Sequence, residues 1–316
     1  MAGCTIGELA ENFGLVTVVS SPKSISKKIS VIEVDRPGLE LAGFYEYHQK
    51  TRLVLIGKKE LAFISHMQSF SAYQAILQIC APETPGIVIC HGLPCPEEIK
   101  RAAEKKDCAV FQTLEDTSTF EADVLNFLSE KLAPKTSIHA NLMEIFGCGT
   151  LMIGDSGIGK SEVSLDLLKR GHVLVSDDKV EILNVRNKLE GSSPAITFGM
   201  MEVRGIGIID VSRMFGINAV KRKSQITYCV DMRLFNPKEV VDRLGSTSKT
   251  IEYLGVKVPY VKLPVSSGRS MAELVEIAIT NFKLKDSGFD SAREFERRMD
   301  VEREKARIAL EAKNKI

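Results

Sequence analysis

The sequence predicts an α/β protein built as two domains. Strand and helix patterns alternate through the first half, a proline interrupts a helical stripe near the middle, and a glycine-rich loop then joins a strand to a helix. A chain of 316 residues is long for one core and comfortable for two. With 44% hydrophobic and 26% charged residues its composition is globular, and no uncharged apolar run approaches the ~20 residues of a membrane helix.

The formal net charge of +1 supplies no basic field to condense on a nucleic acid. The seven cysteines are odd in number and scattered, as expected of reduced thiols in a cytoplasm. The start of the chain lacks the charge and apolar core of a signal peptide, so a cytoplasmic protein is expected.

In the first half, Leu53 to Ile56 reads as a strand, Gly86 to Cys90 as a second, Pro96 to Lys106 as a helix and Cys108 to Gln112 as a third strand. This is βαβ material. Phe120, Val124, Phe127, Leu128 and Leu132 then recur at helical spacing until Ala133-Pro134-Lys135, where proline forces its predecessor out of helical geometry. The domain boundary is placed there, giving 1–133 and 134–316. Cys90 and Cys95 flank His91, but they lack the second ligand pair of a zinc site and read as buried thiols. His48, His66, His91 and His172 read as structural.

The second half opens with a hairpin, Ala140 to Phe146 returning through Gly147-Cys148-Gly149 into Thr150 to Ile153. Strand patterns follow at His172 to Ser176 and Thr227 to Val230, then a helix over Met271 to Phe282 and a charged amphipathic helix from about Ser291.

The hairpin feeds Gly154, Asp155, Ser156, Gly157, Ile158, Gly159, Lys160 and Ser161, which satisfy G-x-x-x-x-G-K-[ST]. The glycines let backbone N–H groups crowd round phosphate oxygens, Lys160 brings positive charge to the β/γ end, and the Ser161 hydroxyl can ligate Mg²⁺. The apolar Leu151-Met152-Ile153 before the loop and the stripe Val163, Leu167, Leu168 after it supply the strand and helix such a loop needs.

Asp177 and Asp178 end the strand pattern His172 to Ser176. A parallel strand beside the P-loop strand would deliver both carboxylates to the phosphates, one facing the metal shell and the other an incoming hydroxyl. Counting pairs about a turn centred on Cys148 sets His139 opposite Gly157, close to the same place. Met201 to Asp210 interleaves Glu202, Arg204, Gly205 and Gly207 with apolar residues: Glu202 suits a metal ligand, Arg204 a phosphate contact, and the glycines a close backbone approach. The same run also reads as an ordinary strand with a glycine bulge.

These residues resemble the HPr kinase/phosphorylase family, bacterial regulators of carbon metabolism and catabolite repression that phosphorylate a serine of the phosphocarrier protein HPr. The likeness rests on Gly154 to Glu162, on Glu202-Val-Arg-Gly-Ile-Gly-Ile-Ile-Asp210 and on Arg36-Pro-Gly-Leu-Glu-Leu-Ala-Gly43. It implies catalytic duties for His139, Lys160, Asp178 and Arg243, with Asp177 and Arg204 beside them, and Mg²⁺ on Ser161 and Glu202. It also implies ATP or pyrophosphate as donor, a homohexamer and a response to fructose 1,6-bisphosphate. A loop matching Pro264, Val265, Ser266, Ser267, Gly268 and Arg269 would serve the reverse phosphorolysis. Here the chain departs from the family, which usually has Arg-Pro at Ser266-Ser267, so the reverse activity is expected to be the weaker one. The implied fold is an N-terminal βαβ-type domain followed by a P-loop kinase domain with a mixed, carboxykinase-like sheet.

Without the resemblance, the loop and acidic pair also fit a small-molecule P-loop kinase or a carboxykinase-like enzyme. A nucleotide-dependent switch is disfavoured: Asn187-Lys-Leu-Glu190 ends in the wrong acid to read guanine.

Overall fold

The computed structural model describes residues 3–234, 249–265, 268 and 270–313. Arg243, Ser266, Ser267 and Arg269 lie outside the described residues. The chain divides into two compact units, Met1–Pro134 and Lys135–Ile316.

The first unit is built on a five-stranded sheet in the order Val16–Val19, Ala109–Gln112, Gly86–Ile89, Leu53–Ile56 and Val34–Asp35. Only the first of these strands runs antiparallel to its neighbour; the others are parallel, as βαβ crossovers require. Leu53–Ile56 is buried throughout because helices cover both faces: Val54 and Ile56 join the cluster under Ser69–Ile79 and Glu97–Lys106, while Leu53 and Leu55 pack with Phe120 and Val124 of helix Thr117–Lys131. Asp116 caps that last helix, its carboxylate accepting from Ser118 N and Thr119 N.

Among the described residues the second unit carries a mixed sheet of nine strands. Its axis is the long strand Lys223–Leu234, which pairs antiparallel with Lys188–Ser192 at its start, parallel with Cys148–Gly154 along its middle and parallel with Val256–Val265 at its end. Because side chains alternate across a strand, Met152 and Met143 face helices Lys160–Lys169 and Met271–Asp286. Leu151 and Leu142 face the opposite way, towards Val175, Ile182, Leu189 and Val258.

Two stretches of chain bend from one part of this sheet to another at the same level. Lys135–His139 continues through Ala140 into Asn141–Ile145, and Val173–Ser176 continues through Asp177 and Asp178 into Lys179–Val185. The two stretches pair antiparallel on both sides of the bend, with His139 opposite Lys179 and Leu142 opposite Ser176, and Ala140 N donates to Asp178 O (3.0 Å) across it. Polar residues that would otherwise point into a core are therefore gathered at one corner.

Two expectations are corrected here. The hairpin turns at Phe146-Gly147, both with positive φ (50° and 78°), because Ile145 pairs with Cys148; this is the two-residue turn whose twist suits antiparallel strands. His139 is consequently not opposite Gly157 in the hairpin but belongs to a separate strand paired with Lys179–Val185. The strand before Asp177 is not the parallel neighbour of the P-loop strand either: Asn141–Ile145 lies between them, antiparallel to both, and the parallel neighbour is Lys223–Leu234. Asn187 with Arg186 makes the tight turn of another hairpin, both at positive φ, which accounts for it without a nucleotide base.

Candidate active site

The P-loop leaves its strand at Gly154 and enters helix Lys160–Lys169 through Gly159, whose φ of 103° sets the cap. The free N–H groups of the helix start therefore face the cleft. Gly157 has a second reason to lack a side chain beyond its φ of 81°: a Cβ there would stand 3.1 Å from Arg204 Nη2. Lys160 Nζ donates to Gly154 O (2.9 Å) and Asp155 O (3.2 Å), so the ammonium is folded against the loop.

One cleft is lined by His139, Asn141, Ser156, Gly157, Gly159, Lys160, Ser161, Glu162, Asp177, Asp178, Glu202 and Arg204. The two aspartates divide sharply within it. Asp177 is 7% exposed; its Oδ1 accepts from Ser161 Oγ (2.9 Å) and Asn141 Nδ2 (2.6 Å), and its Oδ2 from Glu202 N (3.0 Å). Burial nevertheless raises its pKa above the ordinary value: desolvation outweighs the three hydrogen bonds, and the Asp178 charge adds to it.

Asp178 points out of the corner. Its φ is 65°, and Lys179 N donates back to Asp177 O (2.8 Å), which makes the backbone a γ-turn centred on Asp178. Strained left-handed backbone of this kind concentrates at functional sites. The turn throws the carboxylate clear of the sheet, where Oδ1 lies 2.9 Å from His139 Nδ1.

Glu202 and Arg204 come from the hairpin of Met200–Val203 with Gly207–Asp210. Gly205 and Gly207 have positive φ and nothing within 4 Å of a Cβ position, so in this hairpin they serve the turn; the expected bulge is a three-residue loop over 204–206. The hairpin is tied to the P-loop serine through Asp177, which accepts from Glu202 N and Ser161 Oγ, while the Glu202 side chain remains exposed at the cleft.

Sequence reasoning missed Asn141. It is fully buried, donates to Asp177 Oδ1 and Ser164 Oγ (2.9 Å), and accepts from Asp178 N (3.3 Å), so one amide joins both aspartates to the P-loop helix. The available signal was an asparagine directly before the apolar Leu142-Met143 of the hairpin strand. Also missed were Asp231 and Arg233, on the parallel neighbour of the P-loop strand. Arg233 bridges Asp231 (Nε to Oδ1, 2.8 Å) and the loop residue Asp155 (Nη1 to Oδ1, 3.3 Å), and Tyr260 Oη donates to Asp231 Oδ2 (2.8 Å).

A phosphate-binding loop, a buried carboxylate on its serine hydroxyl and an exposed carboxylate–imidazole pair in one cleft define a P-loop phosphotransferase. Comparison with known proteins gives the particular family. The family described as HPr Serine kinase C-terminal domain matches residues 130–299, and that described as HPr Serine kinase N terminus matches 4–128. The chain is 38% identical over 296 residues to the HPr kinase/phosphorylase of Streptococcus thermophilus strain CNRZ 1066, covering 93% of this chain and 96% of that one. It is 39% identical over 296 residues to that of Lactobacillus gasseri, covering 93% of each. The solved Hpr(Ser) kinase/phosphatase from Coxiella burnetii is 35% identical with a TM-score of 0.45, covering 48% of this chain and 99% of that one. The chain belongs to the HPr kinase/phosphorylase family, an enzyme family of serine kinases. Among the described residues no helix is long and apolar enough to cross a membrane.

Proposed function

We propose that this protein transfers the γ-phosphoryl group of ATP, or a phosphoryl group of pyrophosphate, to a serine hydroxyl of HPr, and that inorganic phosphate reverses the transfer with release of pyrophosphate. One observation carries the reading: a buried aspartate on the P-loop serine stands next in sequence to an exposed aspartate held by histidine. The near full-length identity to HPr kinase/phosphorylases selects a protein substrate over a metabolite.

The residues fit a bound magnesium ion. Ser161 Oγ is aimed at a carboxylate rather than at the solvent, Asp177 carries a desolvated charge that a cation would relieve, and Glu202 is exposed on the same cleft. Ser161 and Glu202 would hold it, with Asp177 behind, and when bound it neutralises phosphate charge.

Asp178 takes the proton of the incoming serine hydroxyl and returns it in the reverse direction. His139 holds the Asp178 carboxylate in place and shares its proton. Lys160 and Arg204 supply the positive charge that the transferred group requires, and Arg243 is assigned the same duty through the family likeness. Membership of the family likewise supports a homohexamer responsive to fructose 1,6-bisphosphate.

Incubation with HPr, Mg²⁺ and ATP, followed by addition of phosphate, tests the reading. Phosphoserine is expected to form in the first step and to disappear with pyrophosphate release in the second. Absence of phosphoserine refutes it.

A further inference from the structure

The first unit holds a group that the phosphoryl chemistry does not use. Arg36, in the third segment of the family likeness, turns to Glu60, with Nη2 3.4 Å from Oε1. The acids on either side of it, Asp35 and Glu40, face His48 instead. His48 Nδ1 lies 3.3 Å from Asp35 Oδ2 and 3.7 Å from Glu40 Oε1, and one ligand atom from each of the three residues lies within 4.8 Å of the others. The histidine side chain is 2% exposed, yet neither ring nitrogen has a hydrogen-bond partner, and nor does Asp35 Oδ2. At 3.3 Å the oxygen is near enough for a hydrogen bond but lies off the axis of the ring nitrogen. A buried imidazole aimed between two carboxylates and bonded to neither calls for a partner placed between them.

We propose that Asp35, Glu40 and His48 bind one divalent transition-metal ion, of the Zn²⁺ class, in the N-terminal unit. A tetrahedral ion with bonds of about 2.0–2.1 Å sets its ligands roughly 3.4 Å apart, close to the 3.3 and 3.7 Å separations from His48 Nδ1. Two carboxylates balance the dication and the neutral imidazole adds nitrogen, a donor set that favours Zn²⁺ over the all-oxygen preference of Ca²⁺ and Mg²⁺. Three protein ligands leave a fourth position for water. The ion would fasten the loop carrying His48 to strand Val34–Asp35 and helix Gly38–Leu41.

The test uses the full-length protein stripped of metal and titrated with ZnCl₂ against a chromophoric chelator, alongside His48→Gln and Glu40→Gln. The parent is expected to bind one equivalent more than either variant, or to bind it ~100-fold more tightly. Its melting temperature should rise with Zn²⁺ by more than theirs. Equal stoichiometry and affinity in the parent and both variants overturns the proposal, and metal bound equally well at the phosphate site cancels in the comparison. Circular dichroism reports whether the variants fold. X-ray absorption at the zinc edge of the parent loaded with one equivalent needs no variant: a nitrogen/oxygen shell with the outer-shell scattering of one imidazole is expected, and a sulfur shell or absence of imidazole scattering overturns the assignment.

Discussion

Asp177 and Asp178 are adjacent in sequence and opposite in environment: Asp177 is 7% exposed and bonded through Ser161, Asn141 and Glu202 N, whereas the Asp178 side chain is 68% exposed and paired with His139 at 2.9 Å. A strand end normally sends successive side chains to opposite faces; here the γ-turn at Asp178 extends that separation, and the proposed mechanism gives the buried carboxylate to the loop and the exposed one to the acceptor's proton.

Asp178→Asn should lower kcat for phosphoserine formation by ~10²–10⁴-fold while leaving nucleotide affinity unchanged, because the proton acceptor is lost and the P-loop is untouched. Asparagine tolerates the left-handed backbone at this position, so the variant should fold. Steady-state kinetics on HPr with parallel nucleotide titration reads both quantities. An unchanged kcat removes Asp178 from the role of base.

His139→Gln should cost less than Asp178→Asn, about 10-fold or more in kcat, and should change the pH profile of the reaction. A glutamine can still hold the carboxylate by a hydrogen bond but cannot share its proton. A pH–rate profile identical in shape to the parent's would restrict His139 to a steric role.

Asp177 links the metal-free protein's stability to pH. Its folded pKa lies above the ordinary 3.8 because burial disfavours the charge. The stability it contributes is therefore fully present below 3.8 and is lost as pH rises through the folded value. Asp177→Asn should flatten this dependence while weakening Mg²⁺-dependent nucleotide binding. Urea melts between pH 4 and 8 with and without Mg²⁺ decide it.

Asn141→Ala should destabilise the second unit by about 2–3 kcal/mol, since from a fully buried position it strips the hydrogen bonds to Ser164, Asp177 and Asp178 N. It should lower kcat as well, because Asp177 and Asp178 lose the amide that holds both. Denaturant melts and kinetics on the same sample separate the two effects.

Replacing Ser266-Ser267 with Arg-Pro should raise pyrophosphate release from phosphoserine-HPr relative to the forward rate. The motivation is the family likeness alone, since both serines lie outside the described residues. An unchanged ratio of the two activities removes this pair from the explanation of that balance.

Much of the first unit was legible in advance. Leu53–Ile56 and Gly86–Ile89 are short apolar runs buried on both faces, and such strands announce themselves whatever surrounds them. The P-loop was equally plain, because G-x-x-x-x-G-K-[ST] between an apolar strand and a helical stripe is a local pattern that needs no distant partner. The hairpin was found but centred on Cys148 instead of between Phe146 and Gly147: Phe146 at positive φ is not a turn residue by type, while Gly147-Cys148-Gly149 looks like one. His139 was misplaced because the chain bends at Ala140 and pairs it with Lys179, a change of partner strand that counting along the hairpin does not reveal.

The sequence by itself determined the alternation of strands and helices, the phosphate loop and, through three short segments, the family. Only the tertiary structure decided which residues meet at the loop. Pairing of Lys135–His139 with Lys179–Val185 brings His139 to Asp178, the same corner buries Asp177 against Ser161, and Asn141 ties the three segments together. Local chemistry is written in neighbouring residues and can be read from them. Register between distant strands is set by which faces find a core, and it becomes visible only when the sheet is assembled.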